Sequence, residues 1–86
     1  MTYAVRLTRS AQGDLTGLTE AVAAAAVEFI FGALSENPYR VGKPLLGELE
    51  GLHSARRGQY RIIYEIEQMA VTVTIIRVAH RADAYR

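Results

Sequence analysis

The sequence predicts an α+β fold in the order β-α-α-β-β-β, an antiparallel sheet with two N-terminal helices packed on one face. Three observations carry that prediction. The chain has 86 residues, half of them hydrophobic, which suffices for one core and so for a single domain spanning 1–86. Its N-terminal half holds a long segment, 21–34, with apolar residues at helical spacing. Its C-terminal half holds three β-rich stretches separated by turn signals.

Residues 2–8 alternate and read as the first strand. Ser10 is the expected N-cap of a short helix running to about Gly17, with Leu15 and Leu18 as its apolar contacts. Thr19 is placed to cap the second helix, and Glu20 in its first turn suits the positive end of the helix dipole. Val22, Ala26, Phe29 and Ala33 form the expected core stripe. Val27, Ile30, Phe31 and Leu34 widen it beyond what one sheet face needs. Either the helix is buried on two sides, or Val27, Phe31 and Leu34 offer a second apolar surface to a partner. Asn37-Pro38 ends the helix, because the residue before proline is pushed out of the α region. The stretch 38–51, punctuated by Pro38, Gly42, Pro44, Gly47 and Gly51, reads as a connection without elements. Strands are expected at 52–57, 60–67 and 71–78, the last two joined by a tight turn at Gln68-Met69.

Composition excludes several function classes. Cysteine is absent, so there is no disulfide framework, thiolate nucleophile or cysteine-ligated metal centre, which fits a cytoplasmic protein. The opening Tyr3-Ala4-Val5-Arg6-Leu7 alternates instead of forming the apolar core of a signal peptide. No apolar run reaches membrane-spanning length, so no membrane partner is expected. A phosphate-binding Gly-rich loop, histidine pairs at metal-ligand spacing and a serine nucleophile elbow are all missing, and neither a metal nor any other cofactor is expected.

The net charge of +1 conceals blocks of opposite sign. Residues 1–36 carry −2, 37–61 carry +3 (Arg40, Lys43, Arg56, Arg57 and Arg61 against Glu48 and Glu50), 62–76 carry −2 and 77–86 carry +2. An antiparallel sheet can bring the two basic blocks together, and a focused basic patch on a near-neutral protein suits a polyanion. The competing reading is a surface kept soluble by arginines.

Placing a two-residue loop at Arg57-Gly58 pairs Arg56 with Gln59, Ser54 with Arg61 and Leu52 with Ile63. Alternation then puts Ser54, Arg56, Gln59, Arg61, Ile63 and Glu65 on one face, and Tyr60, Ile62, Tyr64 and Ile66 on the other, joined there by Val71, Val73 and Ile75. The second set must meet the helices. The first leaves Arg56 and Arg61 on an open polar face able to hold phosphate. His53 faces the helix side and reads as structural. At the end of the last strand and beyond it, Arg77, His80, Arg81, Asp83 and Tyr85 supply parts for acid–base chemistry without a metal.

The segment Gly51-Leu52-His53-Ser54-Ala55-Arg56-Arg57-Gly58-Gln59-Tyr60-Arg61-Ile62-Ile63-Tyr64 resembles the central signature of the RelE/ParE toxin superfamily, in which an Arg-x-Gly turn precedes Tyr-Arg-hydrophobic-hydrophobic-Tyr. The tail His80-Arg81-Ala82-Asp83-Ala84-Tyr85 is similar to the closing His-Arg-x-x-x-Tyr pattern of many members, and Asn37-Pro38-Tyr39-Arg40-Val41-Gly42-Lys43-Pro44-Leu45 to the family's connection after the second helix. Together with the first strand, the likeness covers nearly the whole chain and is nearest to actinobacterial RelE-like toxins.

The resemblance implies the toxin of a type II toxin–antitoxin pair with this fold. It implies an endoribonuclease (mRNA interferase) that cuts mRNA in the ribosomal A site without a metal, by attack of a 2′-OH on the adjacent phosphate. By likeness, Arg61 and Arg81 are the catalytic arginines, Tyr85 orients the substrate, and His80 lies where some relatives use histidine in acid–base work. Arg56, with Arg57, Ser54, Lys43, Arg40 and Arg77, joins the RNA- and phosphate-binding set. The implied partners are a RelB-like antitoxin and the ribosome, with operator DNA reached only through the antitoxin complex. The chain departs from the well-known RelE enzyme at Leu52 and Ser54, where that enzyme has lysines. Either His80 takes over as base, or activity is weak and the chain acts mainly as an antitoxin partner, or the target differs, as in ParE-like toxins that bind DNA gyrase and are not enzymes.

Overall fold

Thr8 ties three elements together. In the computed structural model, which describes residues 2–80 with His80 in its backbone only, the Thr8 hydroxyl accepts from the Ala11 N–H at 3.0 Å and donates to the Ile76 carbonyl at 2.8 Å. It thereby caps α1 (Arg9–Thr16), joins it to β1 (Ala4–Leu7) and fastens both to β5 (Thr72–His80). The expected cap, Ser10, lies inside the helix instead. Only a residue at the strand's end reaches the helix and the sheet at once.

The sheet has five strands in the order β1-β5-β4-β3-β2, with β2 at Lys43–Pro44, β3 at His53–Arg57 and β4 at Tyr60–Glu67. β3, β4 and β5 form the expected antiparallel meander. β1 corrects the all-antiparallel expectation: it runs parallel to β5, from Ala4↔Thr72 to Leu7↔Ile75, so the sheet is mixed. Its link to the rest is the long helical connection, which, unlike a hairpin, permits parallel pairing.

The second helix, α2 (Glu20–Phe29), is capped by Thr19 as expected and continues into a wider π-type turn, Ile30–Leu34. Gly32 leaves helical geometry there (φ −105°, ψ −105°), and the buried Ser35 hydroxyl donates to the Phe31 and Gly32 carbonyls. The inward row is Ala26, Ile30 and Leu34, all fully buried. Of the expected stripe, Ala26 holds its place, Phe29 is partly buried, and Val22 and Ala33 are exposed. The row that meets the sheet is the i, i+4 series turned toward Ile62, Tyr64, Val73, Ile75 and Val78.

The stretch expected to be a bare connection contains α3 (Pro38–Val41), β2 and a short 3₁₀ turn, Gly47–Leu49. Pro38 at the first helical position explains how one residue both ends α2's path and starts α3. The β3–β4 loop is Gly58-Gln59, one residue later than expected, so the pairs are Arg57↔Tyr60, Arg56↔Arg61 and Ser54↔Ile63. Gly58 has φ +63°, and tight hairpin loops of the Gly-X kind place such a residue first. The β4–β5 turn is also longer than a tight Gln68-Met69 loop: Glu67 pairs with Thr72, leaving 68–71 in the turn, with Val71 in the left-handed region at φ +48°. One extra residue in β5, Ile76, makes a bulge between Ile63↔Arg77 and Tyr64↔Ile75.

A basic groove at the edge of the open sheet face

The β2–β3 edge owes its shape to a missing side chain. A methyl group at Gly42 would lie 2.7 Å from the Ser54 carbonyl oxygen and would collide with the Tyr64 hydroxyl. With no Cβ there, the chain after α3 comes down onto β3, and β2 pairs Lys43 with Ser54 and Pro44 with His53. The Tyr64 hydroxyl donates to the Pro38 carbonyl at 2.6 Å, pinning α3 from beneath. Burial pushes that phenol up to about 12. His53 stacks on Tyr64 (centroids 5.6 Å apart) and meets the edge of Tyr39, and burial lowers its pKa. It is part of the support, as its helix-side position implies.

Above this support opens a groove of about 630 Å³, lined by Arg40 of α3, Gly42, Lys43 and Pro44 along β2, Ser54 and Arg56 of β3, and Arg61 of β4. Arg56 is exposed and Arg61 half-buried, and the two are direct cross-strand partners. Four cations around one polar hollow favour a phosphate-bearing ligand, since guanidinium groups bind phosphate oxygens in pairs. Although the loop lies one residue later than expected, Ser54, Arg56, Arg61, Ile63 and Glu65 stay on one face; only Gln59 leaves it for the loop.

Two arginines assigned to this set lie elsewhere. Arg57 is paired with Tyr60 on the helix side, its guanidinium 5.4 Å from the centroid of the Phe29 ring. Arg77 is bound by Asp14, with Nε to Oδ2 at 2.8 Å and Nη2 to Oδ1 at 3.1 Å. Asp14 gave no sequence signal: an aspartate on a short polar helix reads as a solvated face. Arg81 and Tyr85 lie outside the described residues, as does the side chain of His80. The strand leading to them ends beside the groove, with Ala79 opposite Arg61 and His80 opposite Tyr60.

A second hollow, about 510 Å³ and apolar, lies between the start of α2 and the hairpin, lined by Leu18, Ala21, Val22, Ala25 and Tyr60. The Tyr60 hydroxyl is buried at its wall with no hydrogen-bond partner among the described residues. Of the three residues expected to offer an apolar partner surface, Phe31 (55%) and Val27 (39%) are exposed, but Leu34 is fully buried against the sheet and is corrected to a core residue. Among the described residues, no helix is long and apolar enough to cross a membrane.

Fold and groove define a class, a small α+β protein with a cationic sheet edge backed by two helices. Comparison with known proteins gives the family. Residues 5–85 match the ParE toxin of type II toxin–antitoxin systems. The chain is 56% identical over 86 residues to Toxin RelG of Mycobacterium tuberculosis, covering all of this chain and 99% of that protein. It is 54% identical over 84 residues to Toxin RelE of the same organism, covering 98% and 87%. Its fold matches a chain of the crystal structure of the toxin–antitoxin complex RelBE2 from M. tuberculosis with a TM-score of 0.92 and 54% identity, covering 96% of this chain and 95% of that one. The chain belongs to the RelE/ParE toxin family of type II toxin–antitoxin systems.

Proposed function

We propose that this toxin is a ribosome-dependent endoribonuclease that cuts mRNA in the A site without a metal. The observation that carries the reading is the groove, where Arg56 and Arg61 face each other beside Arg40, Lys43 and Ser54. The RNA 2′-oxygen attacks the adjacent phosphorus, the bond from phosphorus to the 5′-oxygen breaks, and a cyclic phosphate and a free 5′-hydroxyl result. A base must take the 2′-proton, and an acid must protonate the leaving oxygen. Arg61 and Arg56 hold the phosphate and stabilise the charge that builds on its oxygens, a role in which fixed cations contribute most. Arg40 and Lys43 guide the neighbouring phosphates. Arg81, Tyr85 and His80 complete the site, with His80 the candidate base in the absence of lysines at Leu52 and Ser54.

The antitoxin is proposed to cover the apolar surface of α2, including Val27 and Phe31, since the similar M. tuberculosis fold comes from a toxin–antitoxin complex. Operator DNA is reached through that complex, because none of the helices among the described residues is a recognition helix.

The test is expression in cells with mapping of mRNA 5′ ends. New ends within translated codons are expected, and they vanish with Arg61→Ala combined with Arg81→Ala. Intact transcripts at growth arrest, or full toxicity of the double variant, overturn the reading. Leu52 and Ser54, in place of lysines, favour a second one, a gyrase-binding toxin without nuclease activity. Inhibition of gyrase supercoiling by purified protein that leaves RNA whole would select it.

A further inference from the structure

The outer edge of β5 changes neighbours halfway along. Pairing with β1 stops at Leu7↔Ile75, and the bulge at Ile76 follows at once. From there to His80 no strand among the described residues covers that edge. Its first outward N–H after the bulge, that of Val78, donates to Asp14 Oδ2 at 2.9 Å. The same carboxylate takes both Arg77 hydrogen bonds, so one mostly buried side chain from α1 accepts three hydrogen bonds from two consecutive residues of β5. On its inner edge, the same four-residue strand end places Ala79 opposite Arg61.

We infer that Asp14 is a positioning residue of the groove: it fixes the end of β5 beside Arg61 and holds Arg77 away from the phosphate. This rests on the nuclease reading above. Two features separate it from a merely stabilising ion pair. First, Arg77 stands in the cross-strand row Lys43–Ser54–Ile63–Arg77, so once released it is a fifth cation within reach of the RNA backbone. Second, the segment that Asp14 holds is the one from which the chain continues to Arg81 and Tyr85. Losing Asp14 therefore lowers turnover without weakening binding.

The experiment compares the parent protein with Asp14→Ala and Asp14→Asn on ribosomes programmed with mRNA. Single-turnover cleavage at saturating toxin is measured alongside the Kd for a 2′-O-methyl RNA that cannot be cut. Asp14→Ala is expected to lower the saturated rate about 100-fold, the scale of a roughly 1 Å misplacement, while its RNA affinity holds or rises. Asp14→Asn keeps an oxygen for the Val78 N–H and is expected to recover most of the rate. Amide exchange should quicken at Val78 and Ala79 in Asp14→Ala and stay slow at Ile62 and Tyr64. A parental rate in Asp14→Ala, a matched loss of rate and affinity, an Asn variant no better than Ala, or loss of protection throughout the sheet in both variants overturns the inference. A parent protein that leaves RNA intact overturns the nuclease reading and takes this role with it, an outcome distinct from a cutting parent with a cutting Asp14→Ala.

Discussion

Arg56 and Arg61 are direct cross-strand partners, two like charges side by side on the open face of the β3–β4 hairpin. Like charges in that relation destabilise a sheet, and on the proposed nuclease reading the pairing gives up that stability to hold a phosphate. Arg56→Gln is therefore expected to raise unfolding stability by about 0.5 kcal/mol in urea titration. The same variant should bind single-stranded RNA more weakly, with the slope of log K against log salt reduced by about 0.7 for the lost phosphate contact. A variant that gains no stability, or whose salt dependence matches the parent, would show that the pair is not organised around a phosphate.

Gly42 and Tyr64 meet where the chain after α3 comes down onto β3. Gly42→Ala pushes a methyl into the Tyr64 hydroxyl and the Ser54 carbonyl, and overpacking of that kind costs about 1–3 kcal/mol. Tyr64→Phe strands the Pro38 carbonyl, which costs about 1–2 kcal/mol. The double variant removes the hydroxyl from the atoms that the methyl meets and leaves the Ser54 carbonyl, so its cost should fall below the sum of the singles by more than about 0.5 kcal/mol. Thermal unfolding of all four proteins measures that coupling directly. Strict additivity would mean that the segment after α3 simply lifts away, and the groove with it.

The sheet faces were legible because burial decides them. Any register that turned Tyr60, Ile62 and Tyr64 outward would have buried Arg61 and Glu65, so the outward set survived a loop misplaced by one residue. The loop itself depended on the backbone angle of Gly58, which composition does not reveal. The parallel pairing of β1 was hidden for a similar reason, since nothing in Ala4–Leu7 specifies a partner 68 positions further on. Asp14 was hidden because its three donors lie more than 60 residues away. Of the apolar residues that widen the helical stripe, Ile30 and Leu34 are buried against the sheet, and Val27 and Phe31 are the surplus left exposed. Which of them point outward depended on the row that meets the sheet, and that row includes Leu34.

Leu34 and Phe31 therefore separate stability from partner binding. Leu34 is fully buried, and truncation to Ala should cost about 2–5 kcal/mol by leaving a cavity under the sheet. Phe31 is more than half exposed, and Phe31→Ser should stay within about 0.5 kcal/mol of the parent in urea unfolding. If the antitoxin covers α2, that variant loses affinity for it by tenfold or more, about 1.4 kcal/mol for a central aromatic contact. Calorimetric titration with the cognate antitoxin reads this out, and an unchanged affinity would move the partner off this surface.

Stability should form a dome against pH, with each limb assignable to a named group. Burial lowers the pKa of His53 from its ordinary 6.5. The unfolded chain then binds the proton first as pH falls, so the His53 contribution is complete above 6.5 and is lost through the range below it. At Asp14, burial opposes the charge, but the Arg77 and Val78 hydrogen bonds and the Arg77 charge outweigh it and hold the carboxyl below its ordinary 3.8. Its contribution is present above 3.8 and disappears as pH drops through the lowered value. Tyr64 acts in the opposite sense: its pKa is raised from 10.0 to about 12, so the stability it supplies is whole below 10.0 and lost as pH climbs toward 12. Urea midpoints measured across this range should fall in two acid steps and one alkaline step. His53→Phe should remove the upper acid step, Asp14→Asn the lower one, and Tyr64→Phe should reduce the alkaline limb to the part that belongs to Tyr60, whose pKa burial also raises. An acid profile unchanged by Asp14→Asn would show that the three hydrogen bonds at the end of β5 do not depend on its charge.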